Sequence, residues 1–180
     1  MLNILAFLGW NPGTEQELFT LEELIAVFEL KKTQKAGAKF DPDKARWYNH
    51  QYLLKKSEEE ITSLFIPYLK EKGIEADPGF VANVVRLVKE RADFVKDIWE
   101  HGGFFFTAPE EYDPKMVKKR WNENSPRILT DLLNILENIT PFMPAEIESA
   151  LKRWMEEQNI SPGELMPLLR LSVVGTSKGP

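Results

Sequence analysis

A mainly helical fold in two parts is what this sequence predicts, and three observations carry the prediction. Phe80 to Trp99, FVANVVRLVKERADFVKDIW, is the longest helical pattern in the chain. At about 100° per residue its apolar side chains, from Phe80 and Val81 through Leu87 and Ala92 to Phe94 and Trp99, gather on one half of a helix that should be buried. Helix-start signals also recur. Thr20 with Glu23 and Ser57 with Glu60 spell capping boxes, and Asp41-Pro42, Asp77-Pro78, Asp113-Pro114, Ser125-Pro126 and Ser161-Pro162 put proline at a first helical position. Finally, the character of the chain changes after Lys55-Lys56, which sets a boundary between residues 1–55 and 56–180.

Taken in order, Leu2 to Leu8 reads as the end of a helix, and Gly9 to Gly13 as a turn cluster. Thr20 opens a short helix carrying Leu21, Leu24, Ile25, Val27 and Phe28. Lys31 to Lys39, KKTQKAGAK, is a solvated loop with a short extended piece entering Phe40. Asp41 caps a helix through Leu53 that is dense in polar and aromatic groups, Lys44, Arg46, Trp47, Tyr48, Asn49 and His50 among them. Packing and a binding surface both explain Trp47 at this stage.

Ser57 opens a helix that stops at Gly73, and Asp77 starts the long pattern, which ends at His101-Gly102-Gly103 ahead of the aromatic block Phe104-Phe105-Phe106. That block is expected to plug the core beneath the helix end. Asp113 caps a short helix with Lys115, Lys118, Lys119 and Arg120, whose charges a solvated face would explain. Three further helices follow, with Ile128 to Leu136, Ile147 to Met155, and Leu165 to Leu171 turned inward, before a loop from Val173 to Pro180.

Composition narrows the function. Forty-three per cent hydrophobic residues over 180 positions supply real cores, and no apolar run approaches the ~20 residues needed to span a bilayer. The start of the chain has no signal-peptide pattern, so a cytoplasmic protein is expected. With no cysteine and two isolated histidines, metal chemistry has no support. No Gly-rich phosphate loop, nucleophile elbow or His-paired nucleophile is present, so no catalytic residue is expected. The net charge of −5 weighs against nucleic acid, but its distribution qualifies that. Residues 1–55 carry seven Lys/Arg and seven Asp/Glu and are neutral, whereas Leu165–Pro180 has Arg170 and Lys178 and no acid.

One side chain is out of place. On the helical wheel Arg91 lies between Leu87 and Phe94, inside the apolar arc, where a guanidinium is costly unless an anionic or hydrogen-bonding group meets it. Two readings stay open, an ion pair within the bundle or a cation that meets a ligand.

Taken together, NILAFLGWNPGTEQELFTLEELIAVF, GAKFDPDKARWYNHQYL, LVKERADFVKDIW and LLRLSVVGTSKGP resemble, in order and spacing, the C-terminal half of a bacterial glutamyl-tRNA synthetase. The resemblance implies a helical bundle anticodon-binding region over 56–180, truncated at its C-terminus, preceded by a small helical stem-contact domain with short strands over 1–55, partial at its N-terminus. The HIGH and KMSKS-type motifs of such enzymes are not in this sequence, so the fragment is expected to be inactive alone. ATP and magnesium belong, by the same resemblance, to the full-length enzyme, with no cofactor in this part. Arg91 matches the arginine that reads the third anticodon base, which suggests an enzyme specific for the glutamate tRNA. Arg170 matches a second arginine near the anticodon, and Gly179-Pro180 the start of a loop against its first two bases. Lys44, Arg46, Trp47 and Asn49 match a junction motif near the tRNA stem.

The expected partner is therefore glutamate tRNA, bound by a monomer that touches no membrane. The competing expectation is a helical protein-interaction or scaffold module, motivated by the acidic charge and the ordinary bundle pattern after Lys55. Binding that ignores anticodon sequence would separate the second from the first.

Overall fold

Local capping chemistry starts five of the ten α-helices in the computed structural model, which describes residues 2–34, 39–176 and 179. Helix α1, Leu2–Phe7, is followed by α2, Leu21–Val27, where Thr20 accepts from the Glu23 N–H (3.1 Å) while the Glu23 carboxylate accepts from Thr20 N–H (2.8 Å). The long polar helix α3, Pro42–Lys55, is capped by Asp41, and α4, Glu58–Glu71, by Ser57 in a second reciprocal box. The Ser57 N–H holds the Glu60 carboxyl below the usual carboxylate range. The expected short strands reduce, among the described residues, to one antiparallel bridge between Trp10, after α1, and Thr33, after α2.

The long pattern from Phe80 to Trp99 is not one helix. Helix α5, Pro78–Val88, ends in a 3-10 turn over Lys89–Arg91, Ala92 is extended (φ −96°, ψ 127°), and α6, Asp97–Gly102, starts afresh. The wheel assumed a straight axis. With the axis broken, Val81, Val84, Val85, Val88, Ala92 and Ile98 are buried, but Phe80 (43%), Leu87 (55%) and Phe94 (40%) remain exposed. The expected burial of the whole apolar half is therefore corrected.

The described chain divides into two compact units, Met1–Gly102 and Gly103–Pro180, so the sequence boundary near Lys55 falls inside the first. In that unit α4 and α5 pack together, α6 closes on α5, and α1 lies on α3. Ile61, Phe65 and Leu69 of α4 meet the buried valines of α5 in a core that water does not reach. A second cluster forms around Trp10, Phe19 and Leu24, with Ala6 and Phe7 against it. Buried Asn3 supports it: its amide donates to Phe19 O (2.7 Å) and to the Tyr52 hydroxyl, and its carbonyl accepts from Phe19 N–H (3.0 Å). The apolar stripe expected on α2 is largely outside the core, since only Leu24 is buried.

The second unit opens with Phe104, Phe105 and Phe106, half-buried rather than enclosed, and continues through α7, Pro114–Arg120, α8, Ser125–Glu137, α9, Pro144–Gln158, and α10, Pro162–Val174. Ile128 and Leu132 of α8, Trp154 and Met155 of α9, and Leu165 and Leu168 of α10 form its core. Leu133, expected inward, is exposed. Helix α10 runs three residues past Leu171, the last inward position expected, and stops where Gly175 takes a left-handed conformation.

Tyr48 of α3 is 1% exposed, and its hydroxyl has no hydrogen-bond partner among the described residues. Burial first, then the nearby Glu17 and Tyr52, push the phenol up to about 12. An unfolded tyrosine ionises near 10, so between pH 10 and 12 only the unfolded chain releases this proton. Stability therefore falls as pH rises through that window, by roughly 2 kcal/mol at its upper end. Tyr48→Phe is expected to leave stability at pH 7 within ~0.5 kcal/mol and to flatten the alkaline decline, measured by urea unfolding across pH 8–12.

Candidate functional site

Arg91 stands at the end of the 3-10 turn that follows α5, exposed rather than enclosed in an apolar arc. The backbone that leaves it is fixed from three sides. Asn49 of α3 donates from its side-chain amide to Asp93 O, and His50 Nδ1 lies 2.9 Å from Ala92 O. From the other direction Asp97 accepts from the N–H groups of Asp93 (3.1 Å) and Phe94 (2.8 Å). A broken helix leaves carbonyls and N–H groups without ladder partners, and these side chains supply them. Leu87 and Phe94, the exposed apolar groups nearest Arg91 in the chain, flank the turn in sequence.

The other candidates from α3 take different places. Lys44 Nζ pairs with Glu17 (2.7 Å) and lies 5.4 Å from the centre of the Phe7 ring. Arg46 is exposed. Trp47 is 38% exposed and meets Tyr48 edge-on at 5.1 Å, so the ring both packs and faces solvent. Asn49 faces the Arg91 turn through the bond already described, a role that sequence reading did not assign. His50 and Asp97 were missed altogether. Asp97 carried a local signal, a carboxylate three residues beyond Phe94 in the pattern of a cap, but an unbroken helix gave no reason to look for one. His50 carried none, because its acceptor lies 42 residues away.

In the second unit Arg170 and Gly179 come together. A Cβ placed on Gly179 would lie 3.0 Å from Arg170 Nε and 3.2 Å from its Cδ, so the backbone at 179 rests against the arginine side chain. Pro180, the fourth residue assigned to the anticodon by resemblance, lies outside the described residues, as does Lys178. Gly175 sets the course of this end. Its φ is +77°, its N–H donates to Leu171 O (2.8 Å), and its carbonyl accepts from Asp113 N–H (2.8 Å). A Cβ there would come 2.6 Å from Glu111 O, which leaves room only for glycine.

Among the described residues no group of three or more His, Cys, Asp or Glu could hold a metal ion, and no helix is long and apolar enough to cross a membrane. The guanidinium groups of Arg91 and Arg170, both exposed residues, are donors suited to meeting acceptor oxygens and nitrogens.

Two substitutions probe the supports. Asn49→Ala is expected to cost ~1 kcal/mol and to speed amide hydrogen exchange over residues 92–97 ahead of the α4 core, read by exchange mass spectrometry. Gly175→Ala should cost about 2–3 kcal/mol in urea unfolding, from the left-handed backbone and from overlap with Glu111 O.

The family profile of the anticodon binding domain matches residues 60–180. Over all 180 residues the chain is 49% identical to a glutamate–tRNA ligase of Phocaeicola vulgatus and 46% identical to that of Flavobacterium johnsoniae. It spans 36% of the length of either relative. A crystal structure of the glutamate–tRNA ligase of Elizabethkingia meningosepticum, in complex with its amino acid, superposes with a TM-score of 0.91 at 38% identity. That match covers 99% of this chain and 36% of the other; the Elizabethkingia anophelis enzyme gives 0.89 at 37%, covering 99% and 35%. With helices throughout, a profile match over most of its length and this likeness to the C-terminal part of glutamate–tRNA ligases, the chain belongs to the anticodon-binding domain family.

Proposed function

We propose that this chain binds tRNA and reads its anticodon, selecting the glutamate tRNA for an aminoacylation whose chemistry, with ATP and magnesium, resides in other parts of a glutamate–tRNA ligase. The observation that carries the proposal is the position of Arg91 on a solvent-facing turn between exposed Leu87 and Phe94, within the segment matched to the anticodon-binding family. A planar guanidinium offers paired donors to the acceptor edge of a base, and apolar neighbours exclude water around it. Arg170, exposed on α10 with Gly179 against its side chain, supplies a second donor where the backbone can approach a nucleotide closely. Lys44, Arg46, Trp47 and Asn49 lie on α3, and their proposed contribution is to the stem side of the tRNA. For Asn49 the bond to Asp93 O supports an indirect contribution, through the Arg91 turn.

A second reading, a protein-interaction module, draws support from apolar side chains in the first unit, where Ile25 is 70% and Leu30 79% exposed. It predicts binding indifferent to anticodon sequence.

Fluorescence anisotropy with labelled glutamate and glutamine tRNAs at one stated salt concentration separates the two. Tighter binding of the glutamate tRNA is expected, with Arg91→Gln reducing the discrimination at the third anticodon base by about 1–3 kcal/mol. Equal loss for every tRNA would overturn the role of Arg91, and absence of binding to either tRNA would overturn the reading as a whole for this chain.

A further inference from the structure

We infer that α7 is a phosphate-holding strip for RNA, separate in role from the arginines that face the anticodon bases; the inference rests on the tRNA-binding reading above. Of the nine Lys and Arg residues between 103 and 180, four stand in the seven residues of this helix, which holds no acid. Lys115, Lys118 and Lys119 fall within an arc of about 100° and are exposed, whereas Met116, Val117 and Arg120 are half-buried on the other side. None of the three lysines pairs with a carboxylate among the described residues, in contrast to Lys32, Lys44, Lys56 and Lys152, which lie 2.6–3.1 Å from a glutamate. Their charge is therefore available to an external anion.

The strip is also fixed and flanked. Asp113 accepts from the N–H groups of Lys115 (2.8 Å) and Met116 (3.3 Å), while its own N–H reaches Gly175 O, and α7 packs on α10. The lysines are thus carried on the same rigid pair of helices as Arg170. Exposed aromatic rings bracket the helix, Tyr112 (46%) before it and Trp121 (45%) after it. Cations in a row hold successive phosphates, and flat rings at either end offer stacking faces to unpaired bases. An acidic protein surface would use the charge but leave both rings without a matching partner. The strip lies in a chain of net charge −5, so the attraction is local and depends steeply on salt.

The test is the triple variant Lys115→Gln, Lys118→Gln, Lys119→Gln in the 180-residue chain, titrated with labelled glutamate tRNA between about 50 and 200 mM salt. Binding about tenfold weaker at the lowest salt is expected, with the plot of log Kd against log salt shallower by about 2. The ratio of glutamate to glutamine tRNA affinity should stay as in the parent, because phosphates carry no anticodon identity. An unchanged slope in a parent chain that binds tRNA overturns this inference alone. A changed tRNA ratio overturns the division of roles. A parent chain that binds no tRNA overturns the underlying reading and the inference with it. Binding to vesicles of phosphatidylcholine and phosphatidylserine that the same substitutions abolish, with tRNA binding unaffected, reassigns the strip to lipid and overturns RNA as its ligand.

Discussion

The side chains of Asn49 and His50 hold open a break in what would otherwise be a continuous helix. Stopping α5 at Val88 releases backbone groups between Ala92 and Phe94 that no ladder serves. The α3 pair satisfies the carbonyls and Asp97 satisfies the N–H groups. The break lets Ala92 and Ile98 enter the core along separate directions while Arg91 turns outward. It also ties α3 to the end of α5 within the first compact unit, Met1–Gly102. A charge that would be expensive inside an apolar arc is placed on an exposed turn, where its desolvation cost is small.

Capping and packing divide the labour differently in the second unit. The core is ordinary: Ile128, Leu132, Trp154, Met155, Leu165 and Leu168 close around one another. The specific geometry sits at the end of α10. There Gly175 reverses the chain at positive φ, lies too close to Glu111 O for any Cβ, and accepts the Asp113 N–H that begins α7. One residue thereby terminates one helix and positions the next in space, so the course of the chain toward Gly179 and the placement of the α7 lysines share a single constraint. The backbone at 179 then rests on the Arg170 side chain. Glycine serves at both points for the same reason: a side chain would occupy the space of the neighbouring group.

Charge in this protein is arranged more than it is accumulated. A net −5 would repel polyanions at a distance, yet the carboxylates stand mainly at helix starts and in short-range pairs, as with Glu23, Glu60 and Glu148. There they are neutralised locally by N–H groups or lysines, and screening at ordinary salt confines what remains to about 8 Å. Cations without such partners keep their reach. This is how an acidic domain can carry a local basic surface without an overall basic composition.

Helix starts and family membership were legible in the sequence, because capping is a contact between residues three apart and needs no knowledge of the fold. Thr20, Asp41, Ser57, Asp77 and Asp113 all cap as their spacing implies. The motif blocks were enough to indicate the anticodon-binding family. The residues proposed to meet the anticodon and the tRNA stem were named from the sequence as well, but their surroundings were not. Only the tertiary structure decided that Phe80–Trp99 breaks, since the groups that stabilise the break come from 42 to 44 residues earlier. It likewise decided that Leu87 and Phe94 face solvent, that Asn49 supports the Arg91 turn, and that Gly179 lies against Arg170. Periodicity reports what a straight helix would bury; which backbone groups find partners elsewhere, and so where the helix ends, depends on contacts that only the folded chain creates.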